Sequence, residues 1–506
     1  MNKTVITKSV EKVAKGSTLL TIDLVVTALF GGFFWIIAAK FINTLQLGMA
    51  STAVSFITLL AVFANLGLHI GSSRYIAEYN ELGMPLLSQR VARLSLKWCL
   101  AAGVVLGLCI ALFSSTIARQ IYSTGDLTPF FVIVGVSIPL QGLVTVLDGI
   151  YRGAQRMDLM LYADSVEAVA KFGFACVVVL LGFQGVGVVL AYPISYVASL
   201  VLAPPFWRRA MPRIPADHED GVTPQSQGLT RRLLTFSMSN YAAVTATSLG
   251  NQFTVILLGV YTLIGVAYYN IAMLIVTVGV SGIATAVNFA LLPTATEEWV
   301  KGDLQGLGVL YNRITRLLLL ASGPLIIVGV IFPSMILRLI SPSFVAASNA
   351  FSILAFAGLL NGMGAPAIGM VNAMNRAKTV MSIYLIAAVT SLAISLVLIP
   401  TFGMVGAGIA YTAPTLVIAL LSVLYIRSQR ISLELSSLGR PFIFIFASML
   451  FGFLSIRFVG IAEALLLTLV LYSLSVVLLG GLRHEEFELI TQMAKGKVSL
   501  TGFNLG

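Results

Sequence analysis

The feature that most constrains this chain is the recurrence of apolar runs about 20 residues long, separated by short basic loops. A run of that length is what a helix needs to cross a bilayer. Read on that rule, spanning segments fall near 17–41, 51–73, 94–114, 129–150, 160–182 and 185–207. After a polar stretch at 208–231, eight more fall near 232–258, 262–293, 313–337, 345–372, 378–399, 403–426, 440–458 and 461–481. The expected fold class is an all-α polytopic membrane protein with about fourteen transmembrane helices. Composition agrees: 58% of the 506 residues are hydrophobic and 10% charged, with a mean hydropathy of +0.97. A soluble domain carries about 25% charged residues and could not cover such a core.

Charge sets the orientation. The net charge is +11, but the Lys and Arg lie between apolar runs, so they mark cytoplasmic loops and not a nucleic-acid surface. With the N-terminus inside and sides alternating, Lys40, Arg119, Arg338 and Arg457 fall outside and all other basic residues on the inner half. One helix more or fewer would reverse every later loop. The bias therefore supports an even count, a multi-pass protein of the cytoplasmic membrane, and cytoplasmic N- and C-termini. The apolar stretch after Lys15 is too long for a signal-peptide core and reads as a first spanning helix.

An internal repeat divides the count. Phe183-Gln184-Gly185-Val186-Gly187 and Ala191-Tyr192 recur 219 residues later as Phe402-Gly403-Met404-Val405-Gly406 and Ala410-Tyr411. Arg208 pairs with Arg427 at that offset, and Arg156 with Arg376 at 220. Matched loops, Gly-rich turns and flanking Arg residues imply two parallel six-helix lobes with a V-shaped path between them. The expected division is 1–215 for the N-lobe, 216–435 for the C-lobe and 436–506 for two further helices and a tail.

Polar side chains at membrane depth must face protein or water. The second helix carries Ser51, Ser55, Thr58, Asn65 and His69 on one face; the seventh carries Ser237, Asn240, Thr247 and Asn251; the eighth carries Asn270, Thr277, Ser281, Thr285 and Asn288. Helix–helix packing accounts for many such Ser and Thr residues; the Asn and His members nominate a cavity. Among charges, Asp23 lies within the first helix, and Asp164, Glu167 and Lys171 stack on the fifth. Glu167 precedes Lys171 by four residues, the favourable order for an ion pair, and Lys171 sits about 15 Å into the membrane at 1.5 Å per residue. It reads either as a structural ion pair or as a cationic or proton-linked site. Arg74, and Arg152 with Asp148 one turn before it, lie at inner helix ends, where they anchor helices or meet an anionic head group.

No paired carboxylates, metal-spaced His or Cys, or phosphate loop stands out, and Cys99, Cys109 and Cys176 have no ligand spacing. The expectation is a protein that is not an enzyme and uses no cofactor or metal. A membrane glycosyltransferase or polymerase is disfavoured because the outer loops are short.

The chain resembles the polysaccharide-export, oligosaccharide-lipid flippase branch of the MATE-like (MOP) transporter superfamily, over about residues 10–480. The resemblance rests on Ala39-Lys40-Phe41, Ala64-Asn65-Leu66-Gly67-Leu68 running on to Arg74-Tyr75-Ile76-Ala77-Glu78, Leu291-Leu292-Pro293 with Gly302-Asp303, Asn375-Arg376-Ala377, and Ile399-Pro400-Thr401-Phe402-Gly403-Met404-Val405-Gly406-Ala407-Gly408-Ile409-Ala410. It implies alternating-access flipping of a polyprenyl-(pyro)phosphate-linked oligosaccharide, with basic residues meeting the phosphates. By helix position it nominates Asp23, Arg74, Asn251 and Asn288, which join Asn65, Asn240 and Lys171 as cavity residues. Asp23, Asp164, Glu167 and Lys171 are the candidates for Na+ or H+ coupling. Lys171 departs from the neutral residue that the resemblance leads one to expect. Partners implied are membrane lipids and the glycosyltransferases or polymerase of the same pathway. An ion-coupled multidrug or metabolite exporter and an uncoupled lipid scramblase are the rival transport readings.

Overall fold

A computed structural model describes residues 3–211 and 228–478. The polar linker around Pro212–Pro224 and the C-terminal tail lie outside the described residues. Among the described residues every regular element is helical: α1 (Lys3–Phe41), α2 (Thr44–Asn65), α3 (Leu68–Glu81), α4 (Pro85–Leu112), α5 (Ser114–Thr116), α6 (Thr128–Gly153), α7 (Met157–Leu180), α8 (Gln184–Val201), α9 (Ala203–Ala210), α10 (Leu229–Tyr261), α11 (Leu263–Val276), α12 (Gly282–Lys301), α13 (Leu304–Ile331), α14 (Pro333–Ile340), α15 (Ser348–Ala373), α16 (Ala377–Phe402), α17 (Met404–Ser428), α18 (Leu435–Ser455) and α19 (Ile461–Leu478). In a bilayer every backbone polar group must be paired within the span, which helices achieve.

Among the described residues, eleven helices or helical stretches are long and apolar enough to cross a membrane. Three more passes complete fourteen. They are α7, whose Asp164, Glu167 and Lys171 lower its hydropathy, α10, and α11 continued into α12. The side of the membrane that carries Lys3 is called the near side below, and that of Phe41 the far side.

The chain reverses with local caps. Asn43 accepts from the Leu45 amide at 2.9 Å, Thr262 from Gly265 at 3.0 Å and Asp303 from Gly306 at 2.8 Å. Each satisfies an amide that the first helical turn leaves unpaired. Within the spans, small residues let helices approach closely. A methyl on Gly107 would collide with the Gly135 carbonyl across α4 and α6, and one on Gly149 with the His69 backbone across α6 and α3. Such contacts hold helices together where lipid removes the hydrophobic drive.

The packing repeats. In the first lobe α4 packs on α6, α3 on α6, α7 on α8 and α1 on α7; in the second, α13 packs on α15, α12 on α15, α16 on α17 and α10 on α16. The backbone repeats with it. Gln155 and Asn375, 220 residues apart, both take a left-handed turn (φ 56° and 57°) ahead of Arg156 and Arg376. Each Arg then caps its following helix, α7 or α16. The result is two parallel six-helix lobes, with α18 packed on α13 and α19 on α18.

Two passes read as single helices in the sequence are broken. The second divides at Leu66 (φ 51°) and Gly67 (φ 72°) into α2 and α3. The eighth carries a π-helical turn, Thr277–Ser281, between α11 and α12. A left-handed leucine costs about 1–2 kcal/mol, and π turns concentrate at functional sites. These are equivalent passes of the two lobes, and both lie at the interface between them. The sixth and ninth spans also end earlier than read, at Val201 and Ile331. Short helices α9 and α14 follow, with Pro204 and Pro333 in their first turns.

Candidate functional site

The seam between the lobes runs along α1, α2 and α3 on one side and α10, α11 and α12 on the other. This seam is closed toward both ends of the second pass. Toward the far side, a methyl on Gly48 would strike the Leu263 carbonyl, and one on Gly259 would lie 2.9 Å from Thr52 Oγ1. Tyr122 donates its hydroxyl to the Ile256 carbonyl at 3.2 Å. Toward the near side, the break in the second pass rests on α10: a methyl on Gly67 would strike the Ser237 carbonyl, and one on Gly71 the Ser237 hydroxyl.

A polar pair bridges that break. His69 Nδ1 lies 2.8 Å from Asn65 Oδ1, so the nitrogen donates, since an amide oxygen only accepts. The His69 ring meets Tyr241 of α10 edge-to-face at 5.3 Å. Asn65, Ser51 and Ser55 are buried, so in this conformation most of the α2 stripe is covered by protein.

On the near side, Arg74 is exposed on α3. Its guanidinium lies 4.2 Å from the centroid of the Phe236 ring of α10 and 4.0 Å from the Glu78 carboxylate. The contact joins the lobes while leaving the cation open to solvent and head groups. Asn251 on α10 is exposed in the interior of its pass; an exposed amide at that depth calls for water or a polar ligand. The side chains of Asn240 and Asn288 lie outside the described residues.

The charges gather inside the first lobe. Asp23 of α1 is buried and faces Asp164 of α7. Glu167 and Lys171 pair at 2.9 Å, both side chains about four-fifths covered (17% and 19% exposed). The ammonium also sits 4.8 Å from the Tyr192 ring centroid and 5.8 Å from that of Tyr196, both on α8. A cavity of about 140 Å³ lies between α1 and α7, lined by Thr27, Phe30, Gly31, Asp164, Glu167, Ala168 and Lys171. Asp148 of α6 lies near this group, and its Oδ1 is buried without a partner among the described residues, as is Asp23 Oδ1. Orphaned buried oxygens are costly, and intramembrane ionisable clusters mark ion or substrate paths.

Residues on three different elements, Asp23, Asp148 and Asp164, thus meet in one cluster, while Arg74 lies apart at the near-side seam. Arg316, buried on α13, escaped sequence reasoning because the span was read from 313. The helix begins at Leu304, so Arg316 lies three turns in. Among the described residues no group of His, Cys, Asp or Glu has the makings of a metal site.

Comparison with known proteins places this architecture. The polysaccharide biosynthesis protein family model matches residues 13–299, and the MatE model matches 241–397. An uncharacterized membrane protein of Methanocaldococcus jannaschii is 23% identical over 79% of this chain and 81% of its own. The lipid II flippase MurJ, in an inward closed conformation, superposes with a TM-score of 0.71 at 13% identity, covering 94% of this chain and all of that one. An inward-facing multidrug resistance MATE family transporter of the MOP superfamily gives 0.66 at 16% identity, over 80% of this chain and 94% of its own. With more than half its length under the first model, the chain belongs to the polysaccharide biosynthesis protein family, and it shares the fold of these two solved transporters.

Proposed function

We propose that the protein is a flippase moving a polyprenyl-(pyro)phosphate-linked oligosaccharide across the cytoplasmic membrane by alternating access, for cell-surface polysaccharide or glycan assembly. The carrying observation is coverage. The lipid II flippase matches 94% of the chain, more than residues 1–428 can supply, so its likeness reaches the helices beyond the two lobes. The multidrug transporter matches 80%, which the two lobes alone can supply. The near side is then cytoplasmic, with both termini there.

Arg74 is the entry cation for the lipid phosphate: exposed, beside the seam, and held over Phe236. Asn251, with Asn240 and Asn288 nominated by helix position alone and Asn65 once the covered α2 face opens, offers the sugar hydrogen bonds. The lipid tail stays in the bilayer, so only the head group must cross. Asp23, Asp164, Glu167 and Lys171 couple the cycle to H+ or Na+. Movement of α1 from α7 would part Asp23 from Asp164, and the freed carboxyls would then take up a proton or a cation. No bond in the substrate changes. Glycosyltransferases of the same pathway supply the cargo and a polymerase or ligase consumes it.

The MatE match over 241–397 favours a second reading, an ion-coupled exporter of multidrug or metabolite type. Proteoliposomes separate the two. A labelled polyprenyl-pyrophosphate oligosaccharide should cross in a protein-dependent way, tested over a panel of sugars. Ion-dependent efflux of a cationic dye with no lipid movement would replace the flippase reading with the exporter.

A further inference from the structure

The second lobe holds a cavity of about 270 Å³ among α10, α15, α16 and α17. It is the symmetry counterpart of the charged cavity in the first lobe. Each of the seven residues lining the first-lobe cavity, moved 220 positions along the chain, lands on a residue lining the second. Thr27 maps to Thr247, conserving the hydroxyl, and Gly31 maps to Asn251. The charged positions all change: Asp164 becomes Tyr384, Glu167 becomes Ala387 and Lys171 becomes Ser391. Two architecturally equivalent cavities have therefore diverged, one ionic and one neutral.

The neutral lining restricts what it can hold. None of its residues carries a charge. A hard cation takes carboxylate oxygens, and an anion calls for Lys or Arg; neither is provided. An apolar ligand would cover the exposed Asn251 amide with nothing to bond it, which is costly. Two of the lining hydroxyls have their hydrogens committed: Ser391 Oγ donates to the Ala410 carbonyl at 3.1 Å and Thr415 Oγ1 to the Tyr411 carbonyl at 2.9 Å. Their oxygens remain as acceptors, which suits a ligand that brings several hydroxyl donors. The Tyr384 and Tyr411 rings supply flat apolar faces. The exposed Asn251 lies on the seam helix α10 and gives the cavity a polar entrance from the path. At 270 Å³ the space lies below the roughly 300–1,000 Å³ of drug-sized sites, which suits one ring and not an oligosaccharide.

We propose that the second-lobe cavity is a binding subsite for a single neutral sugar ring, reached from the seam past Asn251 and recognised by Tyr384, Tyr411 and the Ser391 and Thr415 oxygens. The lobes then divide the work, one answering to ions and the other holding cargo. This deepens the flippase reading and rests on it for the source of the sugar; the chemistry of the lining stands without it.

Saturation-transfer NMR on the full chain in lipid nanodiscs tests the subsite, with methyl hexosides as probes and a methyl hexuronoside and tetramethylammonium as charged controls. At least one neutral hexoside should show ring-proton saturation. Tyr384→Leu, which removes the ring, and Ala387→Leu, which fills the space, should weaken binding at least tenfold. Leu180→Ala, at an exposed position of α7 outside both cavities, should leave it unchanged. Thr415→Val carries the test if Ala387→Leu does not fold. Folded wild-type protein that binds no neutral hexoside, hexoside binding indifferent to these substitutions, or displacement by the charged controls overturns the proposal. Flipping without hexoside binding sinks the subsite alone. Hexoside binding without flipping sinks the flippase reading alone.

Discussion

The Lys171–Glu167 pair offers a quantitative test of whether the first-lobe charges act as a unit. Exposed ion pairs contribute about 0–1 kcal/mol, and removing one partner of a buried pair costs about 3–5 kcal/mol. This pair is about four-fifths covered, at 2.9 Å, with the ammonium over the Tyr192 ring. Its disruption should therefore cost about 2–3 kcal/mol. Lys171→Met strands Glu167 beside Asp164; Glu167→Gln strands the ammonium. The double variant removes both charges and should recover about 2 kcal/mol of the summed loss as coupling. Unfolding in mixed micelles of rising SDS fraction gives the free energies. Flipping in proteoliposomes, normalised to folded protein, gives the functional arm. A stabilising pair that also works in transport predicts that Lys171→Ala lowers flipping more than it lowers folded protein, and that the double variant folds well yet flips poorly. Additive single losses would show that the two side chains are not coupled. Flipping that falls only in step with folded protein would leave the pair a structural lock.

Three further outcomes follow from other contacts. Gly48→Val places a branched side chain against the Leu263 carbonyl; overpacking costs about 1–3 kcal/mol, and the far-side seam should part, so that a cysteine at Thr52 reacts faster with a water-soluble maleimide. Arg74→Glu reverses the near-side cation where packing is loose, so substrate export should fall several-fold with expression and thermal midpoint little changed; unchanged export removes Arg74 from the path. Asp23→Asn takes away one of the two facing carboxyls, so the dependence of flipping on an imposed ion gradient should flatten, and flipping that keeps its full gradient dependence places coupling elsewhere.

The passes were legible because a spanning helix leaves a long signature and the bilayer permits few alternatives. The repeat was legible because turns punctuate it, and the shared left-handed residues Gln155 and Asn375 are its backbone counterpart. The breaks were not: neither Leu66-Gly67 nor Thr277–Ser281 carries a charge or a proline to mark it, and the close approach of Gly67 to Ser237 of α10 is a tertiary contact. Asp23, Asp164, Glu167 and Lys171 could be named together as coupling candidates, but their proximity could not be read, because Asp23 and Asp164 stand far apart in sequence and meet only when α1 packs on α7. The α2 stripe was visible as a face, but which partner covers it is a tertiary matter. The second-lobe cavity hid because Tyr384 and Ser391 are unremarkable in an apolar helix. The offset of 220, applied to Asp164 and Lys171, points straight at them. Arg316 was hidden by a span boundary placed nine residues late, where polar and apolar residues mix.

The central claim is that head groups pass through a seam that opens alternately on each side. Gly259 and Thr52 approach closely enough for a disulfide, since a methyl on Gly259 lies 2.9 Å from Thr52 Oγ1 and bonded cysteines need Cβ atoms about 3.5–4.5 Å apart. In a background with Cys99, Cys109 and Cys176 replaced, cysteines at these positions should lock the far side shut. Oxidised protein in liposomes should flip a labelled lipid-linked oligosaccharide at background rate, and reductant should restore flipping to the level of the unlocked background. Flipping that continues at full rate with the disulfide formed would contradict the central claim.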